Sequence, residues 1–515
     1  MEMEMSALRD FAVGFLEISS LVLAFLFAIG ILAIAYMYIV DVLQTEQTIR
    51  RNYPVIGRFR YFFEHLGEFF RQYFFALDRE ELPFNRAQRS WVYRAAKNID
   101  NTVAFGSTNP LNHAGDFIFL NGAFPPLDEE VQPRSAIKFG RGYARTPFST
   151  TSFFNISAMS FGALSEPAIR ALSHGAKAAG VWLNTGEGGL SALHLEGGCD
   201  VVFQIGTAKY GVRDENGELC DTRLRAVAEH EQLRMFEIKL SQGAKPGKGG
   251  ILPGEKVTEV IASTRGIAVG QDSISPNRHP DIASVDDLLD MIHRIREVTG
   301  KPTGVKAVLG QADWLDELCQ RIHARGFDYA PDFFTVDSGD GGTGAAPQSL
   351  IDSMGMPLKR SLPLLVDKLQ LYGLRERIRV VASGKLINPT GVAAALCLGA
   401  DCVNSARGFM FALGCIQSLQ CNKNTCPTGI ATHDRDLQKG LDPTHKSRRV
   451  ASYADNMMHE VEIIAHSCGV AEPRLLRRNH VEVINEMGVS EAMSELYPEV
   501  NTLPQYLPSR DVSAA

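Results

Sequence analysis

From Ile18 to Val40 the chain reads ISSLVLAFLFAIGILAIAYMYIV, 23 positions without a charged side chain. At about 1.5 Å rise per residue, a helix of this length crosses the roughly 30 Å hydrocarbon layer of a bilayer. The run predicts one membrane-spanning helix over about 18–40, inside an N-terminal anchor of residues 1–45; a buried core helix is the alternative reading. A signal peptide fits poorly, because Glu2, Glu4, Asp10 and Glu17 make the leading segment acidic and no small-residue cleavage site closes the run. Arg50, Arg51, Arg58 and Arg60 follow it, and basic residues stay on the cytoplasmic side. The expected placement is therefore a single pass through the cytoplasmic membrane with the remaining chain in the cytosol. Residues 46–89 form a juxtamembrane segment in which arginines alternate with aromatics, RRNYPVIGRFRYFFEHLGEFFRQYFF. Rings and long basic side chains suit a headgroup layer. Equally, Phe59, Phe62, Phe63, Phe69 and Phe70 suit packing against the protein's own core.

From about residue 150 the periodicity changes. Short apolar runs rich in β-branched and aromatic residues recur, each ending in glycine and small polar residues: FFNISAMSFG, VWLNTGEGG, VVFQIG, MFEIKLSQGAKPG, TGVKAVLG, FFTVDSGDGGTG, RVVASGKL and DCVNSARGF. Eight such runs are what a (β/α)8 TIM barrel, an α/β fold, requires. EPAIRALSHGAKAAG, VDDLLDMIHRIREVTG and NPTGVAAALCLGA read as intervening helices, whereas the gap between the second and third runs is too short for a full one. A doubly wound sheet is the alternative, but no run leads into a G-x-G-x-x-G turn. Residues 436–515 read as a C-terminal helical extension and tail, frayed after Leu503.

Composition changes this picture little. Hydrophobic residues make up 45% and charged residues 22%, as in ordinary folded proteins. A net charge of -7 without a basic stripe argues against nucleic acid as a partner. Nine cysteines, odd in number and unevenly spaced, fit a reducing compartment better than a disulfide framework.

Candidate chemistry lies where the strands end. The last two strands run into SGKL (Ser383–Leu386) and SARG (Ser405–Gly408). Their glycines, Gly384 and Gly408, allow close backbone approach to a phosphate, and Lys385 or Arg407 supplies positive charge. Together with Ser405 they favour a phosphate-bearing cofactor such as FMN. Lys306 lies within a strand, so it must be paired or neutralised; it is read as a cation beside the N1/O2 edge of a flavin or as half of a structural ion pair. Lys239, Gln242, Lys245 and Lys248 cluster at a glycine-rich loop that suits a dianionic substrate. Glu187 in TGEGG is a candidate for acid–base work or for orienting a partner.

GCIQSLQCNKNTCPTG, residues 414–429, holds Cys415, Cys421 and Cys426. Three is the wrong number for a tetrahedral zinc site, the C-x2-C pairing is absent, and buried free thiols remain a reading of their own. Cys397 and Cys402 read as core residues.

SAMSFGALSEPA, NTGEGG, KLSQGAKPGKGG, LPGEKV, GDGGTGAAP and CNKNTCPTGIAT resemble, in the same order over residues 90–435, the FMN-binding synthase domain of glutamate synthases. The likeness extends to short members of that family with a membrane anchor. It implies that Cys415, Cys421 and Cys426 hold a [3Fe–4S] cluster. It implies that Met159, Ser160, Lys306, Gly341, Gly342 and the two late loops hold FMN, that Lys239, Gln242 and Lys245 bind or position substrate, and that Glu187 supports proton or ammonia handling, with Glu187, Lys306 and Lys239 as the catalytic set. The implied reaction condenses 2-oxoglutarate with ammonia to 2-iminoglutarate, which reduced FMN converts to glutamate. MEMEM and the lack of any cysteine before Cys199 lead us to expect no glutaminase of the family's kind. Ammonia would come from solution or an amide-donor subunit, and electrons from a ferredoxin or a reductase subunit; a homo-oligomer is allowed. A related FMN and iron–sulfur oxidoreductase acting on another 2-oxo acid or amine is the alternative function, as is a non-catalytic tethered barrel.

Overall fold

The computed structural model describes residues 2–507. The chain forms two compact units, Met1–Ala87 and Gln88–Ala515. In the first, helix α1 spans Glu2–Leu43. It begins earlier than the expected 18–40 because Met, Ala, Leu and Glu before Ile18 are good helix formers and no proline interrupts them. By length and composition Leu8–Leu43 is apolar enough to cross a membrane. Near its end Asp41 is fully buried and accepts hydrogen bonds from Arg50 Nε (2.9 Å), Arg58 Nε (2.8 Å) and the Val55 N–H (3.0 Å). These contacts turn the chain into helix α2, Gly57–Phe70. Phe59, Phe62 and Phe63 are 59%, 57% and 61% exposed, and Phe70 is exposed as well. The Phe69 side chain lies outside the described residues. Rings four apart stack along the helix, as Phe59 and Phe63 do at 6.4 Å between centroids.

The second unit is built on a closed, all-parallel barrel of eight strands. They are β1 (Phe154–Ile156), β2 (Leu183–Asn184), β3 (Val201–Ile205), β4 (Leu233–Lys239), β5 (Thr303–Val308), β6 (Phe333–Asp337), β7 (Arg379–Ser383) and β8 (Cys402–Ser405). Each falls within one of the eight apolar runs, except that β4 starts two residues before its run, at Leu233. Val403 of β8 pairs with Phe154 of β1 and closes the cylinder. The doubly wound alternative is thereby excluded.

The helices start and stop where local chemistry dictates. Ser165 caps α3 (Glu166–Ala179), which ends at Gly180 in the left-handed region. Ser284 and Asp287 form a capping box on α4 (Val285–Thr299), and Asn388 caps α5 (Pro389–Cys397). Between β2 and β3 only the single turn Ala192–Glu196 fits. Cys397 and Cys402 are buried on α5 and β8.

A hairpin, Ile137–Phe139 with Phe148–Thr150, plugs the N-terminal end of the barrel. Phe139 and Phe148 pack there with Trp182, Val202, Met235, Phe333, Val381 and Cys402. Short helix α6 (Arg407–Leu413) follows β8, and the long helix α7 (Pro443–Ser467) then packs along α3. The C-terminal region is more than the expected helical extension: Val481–Ile484 pairs with Phe117–Phe119 and Ser490–Ala492 in an antiparallel sheet. Nor is the chain frayed just after Leu503, whose N–H donates to the Leu371 carbonyl (2.9 Å) while the Tyr506 ring lies 4.3 Å from that of His323. Residues 508–515 of that expected tail lie outside the described residues.

Candidate active site

With the N-terminal end plugged, the C-terminal ends of the strands open onto a cleft of about 1380 Å³, its mouth included. It is lined by residues between Ser157 and Ala431, among them Met159, Ser160, Glu187, Lys239, Gln242, Lys245, Lys306, Gly342, Gly384, Lys385, Ser405 and Arg407.

One wall is a charge cluster. Lys239, the last residue of β4, places Nζ 3.0 Å from Glu187 Oε2 and 2.8 Å from Gln242 Oε1. Burial works against the Glu187 carboxylate, but Lys239, Lys245 and Arg265 outweigh it and hold its pKa below the usual value. Lys245 is 9% exposed, and burial together with Lys239 pulls its pKa down. Three cations around one carboxylate leave two positive charges facing the cleft.

Lys306 sits on β5 in a second cluster, with Nζ 3.2 Å from Asp337 Oδ2 at the end of β6. Burial opposes its charge, yet Asp337 and Glu237 raise its pKa. Lys306 is thus half of an ion pair, as one of its two readings has it, and it also lines the cleft. Glu237, fully inside the barrel, accepts from Asn184 Nδ2 (2.9 Å), Gln204 Nε2 (2.6 Å) and Thr335 Oγ1 (2.7 Å). This polar layer ties β2, β3, β4 and β6 together beneath the cleft.

The opposite wall comes from the late loops. Gly384 has φ +125, and a Cβ there would fall 2.3 Å from that of Ser338. Lys385, itself at positive φ, pairs with Asp340 Oδ2 at 3.0 Å. Arg407 hydrogen-bonds the Thr343 carbonyl and lies over Gly342, where a Cβ would meet its Nε at 2.9 Å. Ser405 Oγ donates to the Leu386 carbonyl at 2.7 Å and so joins the two loops. Gly341 packs against Gly243 and the Ser338 carbonyl, and Gly408 against the Tyr453 hydroxyl. Those two glycines shape the loops from behind the lining. Met159 is held by His194, whose Nδ1 accepts from the Ser191 N–H (3.3 Å) and whose Nε2 donates to the Met159 carbonyl (2.9 Å).

Residues 129–471 match the family model described as a conserved region in glutamate synthase. The chain belongs to the glutamate synthase family. The glutamate synthase large subunit-like protein YerD of Bacillus subtilis is 38% identical over 505 residues, which cover 90% of this chain and 95% of that protein. The archaeal-type glutamate synthase (NADPH) of Thermotoga maritima is 37% identical over 339 residues, covering 65% of this chain and 62% of its own. The chain thus spans somewhat less than two thirds of that relative. Among solved structures, the flavin-binding domain of baker's yeast flavocytochrome b2 aligns with a TM-score of 0.42 at 13% identity, over 76% of this chain and 78% of its own. A mandelate oxidase with benzoyl-formic acid aligns with a TM-score of 0.43 at 14% identity, over 77% and 98%.

In this member of the glutamate synthase family the cysteine loop borders the cleft. Cys421 lines it, whereas Cys415 and Cys426 lie behind. Among the described residues no three Cys, His, Asp or Glu side chains converge as ligands of a single metal ion. The three thiols lie within electrostatic reach of one another, and burial pushes Cys415 up to about 11. Cys426 is different: burial opposes its thiolate, but the Thr428 hydroxyl and the N–H groups of Ala431, Thr428 and Ile430 outweigh it and bring its pKa down.

Glu237, Asp337, Lys256 and Arg265 were not singled out from the sequence. Arg265 and Lys256 lie in or just beyond LPGEKV, a motif used there only as a likeness. Arg265 is buried, with Nη1 3.1 Å from Ser273 Oγ and its guanidinium 5.3 Å from the Tyr210 ring centroid.

Proposed function

We propose that this chain is a glutamate synthase-type oxidoreductase that reductively aminates 2-oxoglutarate to glutamate with ammonia supplied from outside the barrel. The observation that carries the reading is the Lys239–Glu187 pair at 3.0 Å flanked by Lys245 and Arg265. Its surplus of two positive charges matches a dicarboxylate, and its carboxylate stays ionised to accept a hydrogen bond from ammonia or to take a proton. Gln242 fixes the Lys239 ammonium and, through Nε2 to the Gly342 carbonyl at 3.4 Å, ties the substrate wall to the opposite one.

The residues present fit FMN. Gly384 and Gly342 line the cleft where Ser338 and Arg407 leave no space for a Cβ, Lys385 and Arg407 supply positive charge at the late loops, and Lys306 presents a cation held by Asp337. Met159 and Ser160 would complete that cradle, with Gly341 backing it and Ser405 and Gly408 setting the last loop. FMN when bound supplies the hydride for the imine carbon, and a cluster held by Cys415, Cys421 and Cys426 supplies electrons one at a time. The chain's own part is to bind the dianion, keep Glu187 charged beside it, and hold Lys306 protonated. Helix α1 would place this chemistry at the cytoplasmic membrane, with the barrel in the cytosol and a ferredoxin-like or reductase partner delivering electrons.

The test is an anaerobic purification followed by turnover with dithionite-reduced methyl viologen, 2-oxoglutarate and ammonium. Glutamate should form in the wild type and fall by at least about 10²-fold in Glu187→Gln. A flavin-loaded protein that makes no glutamate but aminates another 2-oxo acid would move the substrate assignment and leave the chemistry.

A further inference from the structure

Lys256 ends the one-turn helix Gly254–Lys256 and is 2% exposed. Its Nζ donates to the carbonyl oxygens of Cys421 (2.7 Å) and Ala431 (2.8 Å), one on the cysteine loop and one just beyond it. Among the described residues no carboxylate lies within ion-pair distance of it. Two carbonyl dipoles solvate an ammonium but do not neutralise it, and a buried charge without a counter-ion is costly. Burial works against the charge, and the groups that face it are the sulfurs of Cys421 and Cys426 and, beyond ion-pair distance, the Glu255 carboxylate. Lys256 and Cys421 also line the same cleft. The ammonium therefore borders both the cleft and the cysteine loop.

Resting on the cluster reading above, we infer that Lys256 is a positioning residue that acts as the counter-charge of the cysteine-bound iron–sulfur group and raises its reduction potential. Adding one electron to a thiolate-ligated cluster adds one negative charge, and a fixed cation beside it stabilises the reduced form. The same two hydrogen bonds tie the cysteine loop to Lys256, so one side chain both anchors the loop and brings charge to it.

The experiment is an EPR-monitored potentiometric titration of the anaerobic full-length protein, with iron and flavin content, for wild type, Lys256→Arg, Lys256→Met and Lys256→Gln. Lys256→Met should keep its iron and its signal while the midpoint moves to more negative potential, and Lys256→Arg should stay near wild type. If methionine costs the protein its iron, glutamine, which still donates to a carbonyl but carries no charge, should retain the signal with the same negative shift. An unchanged midpoint in an iron-loaded neutral variant would reduce Lys256 to a neutral staple and overturn the inference. A wild type that holds flavin but no cluster overturns it as well, and identifies the cluster reading itself as the failure.

Discussion

Glu187 is held in place partly by what its neighbours lack. A Cβ on Gly206 would lie 2.5 Å from the Glu187 Cβ, and one on Gly250 would lie 2.5 Å from Oε1. Glycine at both positions lets the carboxylate reach Lys239. Glu187→Gln keeps the shape and removes the charge, so kcat should fall by about 10²–10⁴ while KM for the 2-oxo acid does not rise. Lys245→Met should do the reverse, raising KM on the order of 10²-fold with a smaller effect on kcat; steady-state kinetics separates the two. His194 makes a different prediction. Burial pulls its pKa down to about 4, against an ordinary 6.5. A depressed folded-state pKa means the unfolded chain binds the extra proton first. The stability His194 contributes is therefore complete above about pH 6.5 and is lost as pH falls toward 4, roughly 3 kcal/mol over that window. Denaturation midpoints from pH 7 to 4 should fall less steeply in His194→Asn than in the wild type. Lys306 and Glu187 were legible because a charge in an apolar run, or alone in a glycine-rich loop, stands out. Asp337 and Glu237 were not: their partners lie on other strands, and nothing in the linear pattern says that Lys306 meets Asp337.

The strands were legible for a related reason. Each is buried on both faces and reads as an apolar run, and each ends where loop glycines begin, so the eight runs carry the eight strands. The antiparallel sheet of Phe117–Phe119, Val481–Ile484 and Ser490–Ala492 was not, since the strands are short and Phe117–Phe119 finds its partner more than 300 residues away. Packing between helices was equally hidden. A Cβ on Gly175 of α3 would lie 2.5 Å from Val450 Cβ and 2.7 Å from the Ser447 carbonyl, both on α7. That glycine sets how closely the last helix seats on the first helix of the barrel. Gly175→Ala gains helix propensity but must push α7 outward. The expected net result is a loss of about 1–3 kcal/mol, read as a lower melting temperature with the flavin spectrum unchanged. An unchanged or higher melting temperature would mean that α7 yields freely.

On the proposed function, the two units divide the work between location and chemistry. Every residue lining the cleft falls between Ser157 and Ala431, so none comes from the unit that ends at Ala87. The first unit carries instead the 42-residue helix, the buried Asp41 bound by Arg50 and Arg58, and a row of exposed phenylalanines. An apolar helix followed by arginines and exposed rings has the makeup of a membrane span with an interfacial foot. This leads to opposite expectations for the two halves of one experiment. The full chain should stay with the membrane pellet through a carbonate wash. A chain beginning at Gln88 should be soluble and, given a soluble one-electron donor, should retain the kcat of the full-length protein. If the shortened chain binds flavin but turns over only with chemical reductant and not with membrane fractions, the anchor serves to bring the barrel to a membrane-held electron source. If the natural donor is soluble, both forms should respond to it alike, and the anchor then serves location alone.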